Sequence, residues 1–357
     1  MKIAHVVGAR PNFMKVAPVF AALAARGVSQ TLIHTGQHYD EKMSDVFFDE
    51  LRLPRPDVNL NVGSGSHAVQ TAEVMIRIEP VLRELQPDWV LVYGDVNSTM
   101  AAALVAVKLG VRVAHVEAGL RSRDRSMPEE INRLVTDSIA NLLLTPSRDG
   151  DRNLAAEGIP PERITFVGNV MIDTLVTLLP DSRLRWPALQ ERWQLERFAL
   201  VTLHRPSNVD DERKLVALLD TLASISSALP VVFPVHPRTR ESMRRAGFAF
   251  PAGTTVIDPL GYLDFLALQE RATVVITDSG GVQEETTFLG VPCLTMRANT
   301  ERPVTVDVGT NTLIGDDLAL LRDHVQAVVE GRGKRGAVPP LWDGRAAERV
   351  ADAVCAP

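Results

Sequence analysis

The chain has 357 residues, 45% of them hydrophobic and 23% charged, with a net charge of −6 at neutral pH. That length exceeds what one core usually serves, so two domains are expected, and the composition excludes a disordered or fibrous chain. The acidic balance offers no basic face for nucleic acid, and no apolar run approaches the roughly 20 residues of a membrane span. Cys293 and Cys355 are the only cysteines and lie far apart, which fits a reducing, cytoplasmic setting better than a disulfide framework. The first residues, Met1 to Gly8, read as a strand and a loop, not as a signal segment.

In chain order, residues 3–7 read as a strand. Residues 11–25 have helical spacing (Phe13, Val16, Ala17, Phe20, Leu23, Ala24) closed by Gly27, and 30–35 read as a second strand. Residues 89–93, 111–116 and 142–145 are further apolar runs, with helical segments at 98–109 and 129–140. Such alternation predicts parallel strands with crossover helices, whose ligands sit beyond the carboxyl ends of the strands. The informative residues are therefore Gly8-Ala9-Arg10, Gly36-Gln37-His38, Gly94-Asp95 and Glu117 to Arg121.

Residues 180–187, proline-flanked and charged, break the composition, and the alternation then restarts. Strands are expected at 198–203, 231–235, 255–257, 273–276 and 292–296, and helices at 211–229 and 238–247. The expected fold class is α/β, with two doubly wound, Rossmann-like domains facing a cleft. The first covers residues 1–180 and the second 181–340; a C-terminal helix within 341–357 is suited to cross back to the first domain.

Ile276-Thr-Asp-Ser-Gly-Gly-Val-Gln-Glu-Glu285 is a strand, a tight turn and a helix start that Gly290 closes. Ser279, Gly280 and Gly281 let a ligand approach the first unpaired helical N–H groups, a place suited to phosphate. Glu284 and Glu285 can accept hydrogen bonds from hydroxyls of the same ligand, so a sugar diphosphate fits both halves. The plainer reading makes Asp278 or Ser279 an N-cap and the glycines a turn. No dinucleotide fingerprint, P-loop or metal-ligand spacing occurs: Asp210-Asp211-Glu212 reads as a helix cap, and His34 and His38 lack the glutamate of a zinc helix. No metal and no cofactor is expected, and a diphosphate must be met by cations and backbone N–H groups.

Arg10 and Lys15 sit at the positive end of the first helix, where a bound anion explains them better than the dipole does. His204 ends one strand and His236 the next; His204 is favoured to donate a proton to a leaving phosphate oxygen, and His236 could do that work or bind the substrate's base or the turn. Asp95, Glu117 and Glu129 are acids at strand or helix ends. Their ordinary roles are a helix cap for Asp95, a salt bridge to Arg121 or Arg123 for Glu117, and a dipole-favoured first-turn acid for Glu129.

Gly8-Ala-Arg-Pro11 with Lys15, Thr35-Gly-Gln-His38, Gly94-Asp95, His115-Val-Glu-Ala-Gly-Leu-Arg121, Met127-Pro-Glu-Glu-Ile-Asn-Arg133, His204-Arg205, His236-Pro237, Thr277 to Glu285 and Thr300-Glu-Arg-Pro303 occur in this order. Together, over residues 1–315, they resemble the non-hydrolysing UDP-N-acetylglucosamine 2-epimerases of bacteria and archaea. The resemblance implies the glycosyltransferase-B architecture, a homodimer, and interconversion of UDP-N-acetylglucosamine with UDP-N-acetylmannosamine for surface-polysaccharide precursors. It places the diphosphate against Arg10, His204, Ser279, Gly280 and Gly281, with Lys15 and Arg302 near it and the ribose on Glu285. It makes Asp95, Glu117 and Glu129 the catalytic acids and His204 the acid to the leaving oxygen. The segment between Arg121 and Pro128 is shorter than in many members, which bears on the placement of Glu129. Rival readings are a 2-epimerase of a modified sugar such as a diacetamido uronic acid, whose carboxylate Arg121, Arg123 and Arg125 would meet, a glycosyltransferase, a hydrolysing epimerase, and a nucleotide-sugar sensor.

Many bacterial members are activated by substrate through a Gln-His-Arg element, and the corresponding stretch here, Gln37-His38-Tyr39-Asp40, has no arginine. Initial rates are therefore expected to be hyperbolic in UDP-N-acetylglucosamine, and the reverse reaction to start without it. A clearly sigmoidal curve, or a reverse reaction that needs priming, would contradict this.

Overall fold

Short, β-branched runs buried on both faces are satisfied by a parallel sheet covered with helices. In the computed structural model, which describes residues 1–36, 48, 50–250 and 253–356, two such sheets form. The stretch Gln37 to Asp40 lies outside the described residues. The first sheet contains β1 (Lys2–Val7), β2 (Ser29–His34), β3 (Val58–Asn59), β4 (Trp89–Tyr93), β5 (Arg112–Val116), β6 (Leu142–Thr145) and β7 (Ile164–Phe166). The second contains β8 (Ala199–Thr202), β9 (Val231–Pro234), β10 (Thr254–Ile257), β11 (Val274–Thr277), β12 (Cys293–Thr295) and β13 (Asn311–Leu313). Every pairing is parallel, in the orders β3-β2-β1-β4-β5-β6-β7 and β10-β9-β8-β11-β12-β13.

Both orders contain a reversal. The chain runs outward from β1 through β2 to β3, then returns to pair β4 with the other edge of β1, with Val6 opposite Val92. It runs outward again from β8 through β9 to β10, then returns to pair β11 with β8, with Thr277 opposite Thr202. Helices that cross over on opposite sides of a sheet leave a crevice at such a point, beyond the carboxyl ends of the two central strands. Each sheet thus has one place prepared for a ligand.

The sheets belong to two units, Met1–Thr177 with Pro340–Pro357, and Leu178–Pro339. Residues 180–187, read above as a break in composition, lie inside the continuous helix Val170–Trp193, with Pro180 and Pro187 in its interior. An interior proline costs about 3 kcal/mol through a lost N–H and a clash. Here packing offsets it, because Ile172, Leu175 and Leu178 are buried near one end, and Leu189 joins the second unit's core at the other.

The C-terminal helix Ala346–Cys355 packs against the first helix, Arg10–Ala24. Asp173 receives the N–H groups of Ala346 at 3.1 Å and Ala347 at 2.6 Å, and Arg26 pairs with Asp352 at 2.7 Å. Trp342 is buried beneath this segment and donates its indole N–H to the Pro146 carbonyl at 2.9 Å. Within β1, His5 interrupts the apolar run at no cost in unpaired groups, since Tyr93 Oη at 2.7 Å and Gln30 Oε1 at 2.9 Å meet its ring nitrogens. Burial lowers its pKa to about 4.

Replacing Trp342 by Ala should cost about 3–5 kcal/mol in urea unfolding, from lost packing and a stranded carbonyl. A loss near zero would show that residues 340–357 are not part of the first unit's core.

Candidate active site

In the first unit the carboxyl ends of β1, β4 and β5 carry the functional groups. Asn12 ties the first two together, accepting from the Gly8 and Ala9 N–H groups at 3.0 and 3.1 Å and donating to the Tyr93 carbonyl at 2.9 Å. Lys15, one turn into the helix Arg10–Ala24, makes a buried ion pair with Glu117, which follows β5. Gly94 permits this contact, because a Cβ there would stand 2.6 Å from Lys15 Nζ, and its φ of +63° also favours glycine. Glu117 has φ of +74° without being glycine, the strained kind of position found where side-chain placement matters more than backbone comfort. The salt bridge expected from Glu117 to Arg121 or Arg123 is not the one formed. Lys15 takes Glu117, and Arg121 is buried against Asp137 at 2.7 Å and Glu157 at 2.7 Å.

Asp95 follows Gly94 but does not cap the helix Asn97–Lys108, whose N-cap is Val96. Its carboxylate instead receives Arg133 Nε at 2.9 Å and remains partly exposed. Glu130 closes the same cluster, accepting from the Ser122 and Arg123 N–H groups, each at 2.9 Å, and from Arg133 at 2.5 Å. Burial alone would raise Glu130, but those hydrogen bonds and the charge of Arg133 win and its pKa is lowered. Glu129, in the first turn of the helix Pro128–Ile139, is half-buried and has no hydrogen-bond or ion-pair partner among the described residues. Neighbouring glutamates thus divide the work: Glu130 is committed to the fold, and Glu129 is available.

In the second unit, Asp278 at the end of β11 is fully buried and gathers donors from the end of β8. The N–H groups of His204 and Arg205 reach it at 3.0 and 2.9 Å, Asn208 Nδ2 at 3.0 Å, and His204 Nδ1 at 3.0 Å. Burial would raise Asp278, but the hydrogen bond and charge of His204 outweigh it and the pKa is lowered. A carboxylate can only accept, so His204 holds its Nδ1 proton toward Asp278 and keeps Nε2 for a ligand. Asp278 is the residue that sequence reasoning passed over as a helix cap. The signal was present, since a buried acid and a histidine end the two strands flanking the switch point.

Ser279 is the N-cap of the helix Gly280–Leu289, and its hydroxyl makes no capping bond, so the first-turn N–H groups are left for a ligand. Arg302 stands directly over them: a Cβ on Gly280 would lie 2.5 Å from its guanidinium. Glu284 at 2.9 Å and Glu301 hold that guanidinium in place. Glu285 is buried, accepts the Tyr262 hydroxyl at 2.9 Å, and burial raises its pKa to about 7. His236 is the N-cap of the helix Pro237–Arg245, with its ring 5.9 Å from that of His204. Among the described residues no group of three or more His, Cys, Asp or Glu side chains converges as a metal ion requires. In one unit the structure joins Lys15 to Glu117 beside the turn that carries Asp95, with Glu129 on a neighbouring helix; in the other it sets His204 beside His236 and Arg302 over Gly280, with Ser279 and Gly281 in the same turn and Glu285 further along that helix. Arg10 heads the first helix.

The UDP-N-acetylglucosamine 2-epimerase family model matches residues 21–355. The chain belongs to that family. It is 42% identical to the UDP-N-acetylglucosamine 2-epimerase of Methanocaldococcus jannaschii, covering 98% of both chains. A crystal structure of that archaeal enzyme in complex with UDP-N-acetylglucosamine and UDP superposes with a TM-score of 0.92, at 41% identity over 99% of each chain. The UDP-2,3-diacetamido-2,3-dideoxy-D-glucuronate 2-epimerase of Pseudomonas aeruginosa is 43% identical over 88% of both chains. As a member of the 2-epimerase family the chain is an isomerase, and its two doubly wound units give it the glycosyltransferase-B fold.

Gly280→Ala should displace the Arg302 guanidinium and weaken UDP binding by roughly tenfold or more while changing the melting temperature little. Unchanged UDP affinity by calorimetry would separate Arg302 and the helix N-terminus from nucleotide binding.

Proposed function

We propose that this chain interconverts UDP-N-acetylglucosamine and UDP-N-acetylmannosamine by eliminating UDP to a 2-acetamidoglycal and adding it back with C2 inverted. The observation that supports this is the difference between the units: carboxylates at the strand ends of the first sheet, and a helix start without a side-chain cap beside an Asp–His pair at the switch point of the second. A glycosyltransferase needs the second set but not three acids in the first.

No carbonyl activates the C2 hydrogen of an N-acetyl sugar, so loss of the leaving group leads. As the C1–O bond breaks, its electron pair goes to the β-phosphate, C1 gains oxocarbenium character and the C2 hydrogen becomes acidic. A carboxylate from Asp95, Glu117 or Glu129 takes that proton and the C1=C2 bond forms. In the return step a proton is delivered to the opposite face of C2 and the phosphate oxygen re-forms its bond to C1. His204, turned by Asp278 so that Nε2 faces the ligand, protonates the departing oxygen, and Ser279, Gly280, Gly281, Arg10 and Arg302 hold the diphosphate. Glu285 accepts from the ribose hydroxyls. The sugar is proposed to be neutral at C6, because Arg121, one of the three arginines that would meet a uronate, is occupied by Asp137 and Glu157.

The proposed partner is a second copy of this chain. Val69 and Ile76, two turns apart on one face of the helix His67–Leu85, are 57% and 66% exposed and suit such a contact. Among the described residues no helix is long and apolar enough to cross a membrane, and Cys293 and Cys355 are both free. A reducing cytoplasmic location is proposed on that basis.

Incubation with UDP-N-acetylglucosamine in deuterium oxide, followed by NMR, should place deuterium at C2 with the nucleotide retained. Asp95→Asn, Glu117→Gln and Glu129→Gln should each slow this exchange by roughly 100-fold or more, with UDP affinity within about threefold of the parent. Binding of UDP without any change at C2 would refute epimerisation of this substrate.

A further inference from the structure

The motif His115 to Arg121 contributes more than Glu117, and the remainder of it is buried. His115 is the penultimate residue of β5 and has no exposed surface. Its Nδ1 lies 2.6 Å from Asp137 Oδ1 and its Nε2 2.7 Å from the carbonyl oxygen of Gly94. The Gly94 carbonyl can only accept, so Nε2 donates to it while Nδ1 is paired with the Asp137 carboxyl. The other oxygen of Asp137 receives the N–H of Gly119 at 3.1 Å and Arg121 at 2.7 Å. Arg121 also donates to its neighbour's carbonyl, that of Leu120, at 2.7 Å, and reaches outward to Glu157 with two bonds of 2.7 Å. The cluster sets the Arg121 guanidinium and the His115 ring against two carboxylates, and three of its four side chains are buried, so none of the three can be removed without stranding another.

Two turns depend on this cluster. One is Gly94-Asp95, held at the Gly94 carbonyl by His115. The other is Glu117 to Arg121, bracketed by His115 before Glu117 and by Gly119 and Arg121 after it, all bonded to the one carboxylate of Asp137. Glu117 keeps its positive φ between these anchors. We propose that His115, Asp137 and Arg121 are positioning residues that fix the Asp95 and Glu117 carboxylates relative to each other, and that Arg121 serves the reaction through this cluster and not by contact with the sugar. This rests on the proposed function, in which those two carboxylates act at C2. Carboxylates that share one proton-transfer task must be held to a fraction of an ångström, and a small displacement costs rate far more than binding.

Two variants divide the arms. His115→Asn keeps a donor where Nδ1 stands and loses the bond to Gly94; His115→Gln keeps the bond to Gly94 and loses Asp137. Each should lower kcat for C2 exchange by roughly 10- to 100-fold, with KM and UDP affinity within about threefold of the parent. Folded variants with kcat within twofold of the parent would overturn the proposal, as long as the parent exchanges C2 and Glu117→Gln does not. If the parent fails to exchange C2, or Glu117→Gln retains full rate, the functional reading itself falls. Should both His115 variants fail to fold, Glu157→Gln decides, since it loosens Arg121 from the half-exposed end. A several-fold loss of kcat at unchanged KM and melting temperature supports the proposal, and an unchanged kcat overturns it.

Discussion

The buried contact between Lys15 and Glu117 is the constraint to which the first half of the molecule conforms. Either charge alone in that setting would cost several kcal/mol, so the two must be buried together or not at all. Lys15 comes from the helix after β1 and Glu117 from the turn after β5, with Gly94 of the β4 turn between them and unable to bear a side chain. Only a sheet that places β1, β4 and β5 side by side can form the pair. The strand order and the ion pair therefore require each other.

The second unit solves the same problem with different residues. Asp278 is buried at the end of β11, and what makes it tolerable there is four donors from the end of β8, including the ring of His204. The Arg302 guanidinium is fixed by Glu284 and Glu301 over a helix start where a Cβ on Gly280 would displace it. In both units a polar group beside the switch point is backed by a buried counter-charge from a different strand end. A site built this way is organised before its ligand arrives, which electrostatic catalysis requires.

Much of this was legible in the sequence because parallel strands bury both faces and announce themselves as apolar runs, with glycine and polar residues at their ends. The turns at Gly8, Gly94, Glu117, His204 and Asp278 were found in that way. Partners were not, because Lys15 with Glu117, Arg121 with Glu157, and His204 with Asp278 are joined by strand order and not by spacing. Arg121 was matched to Glu117 from its nearness in the chain, whereas the left-handed turn at Glu117 sends the two side chains to different partners. The helix His67–Leu85 drew no expectation although Val74, Ile78 and Leu82 share a buried face, and Pro180 and Pro187 signalled an interruption that packing overrides.

The central claim is that UDP leaves and returns while C2 is inverted. It is tested most directly by UDP-N-acetylglucosamine carrying oxygen-18 in the bridge between C1 and the β-phosphorus. If the bond breaks and the freed phosphate turns before rejoining, the label must spread into the non-bridging positions of the β-phosphate as epimerisation proceeds. Epimerised sugar with all of its label still in the bridge would contradict the account.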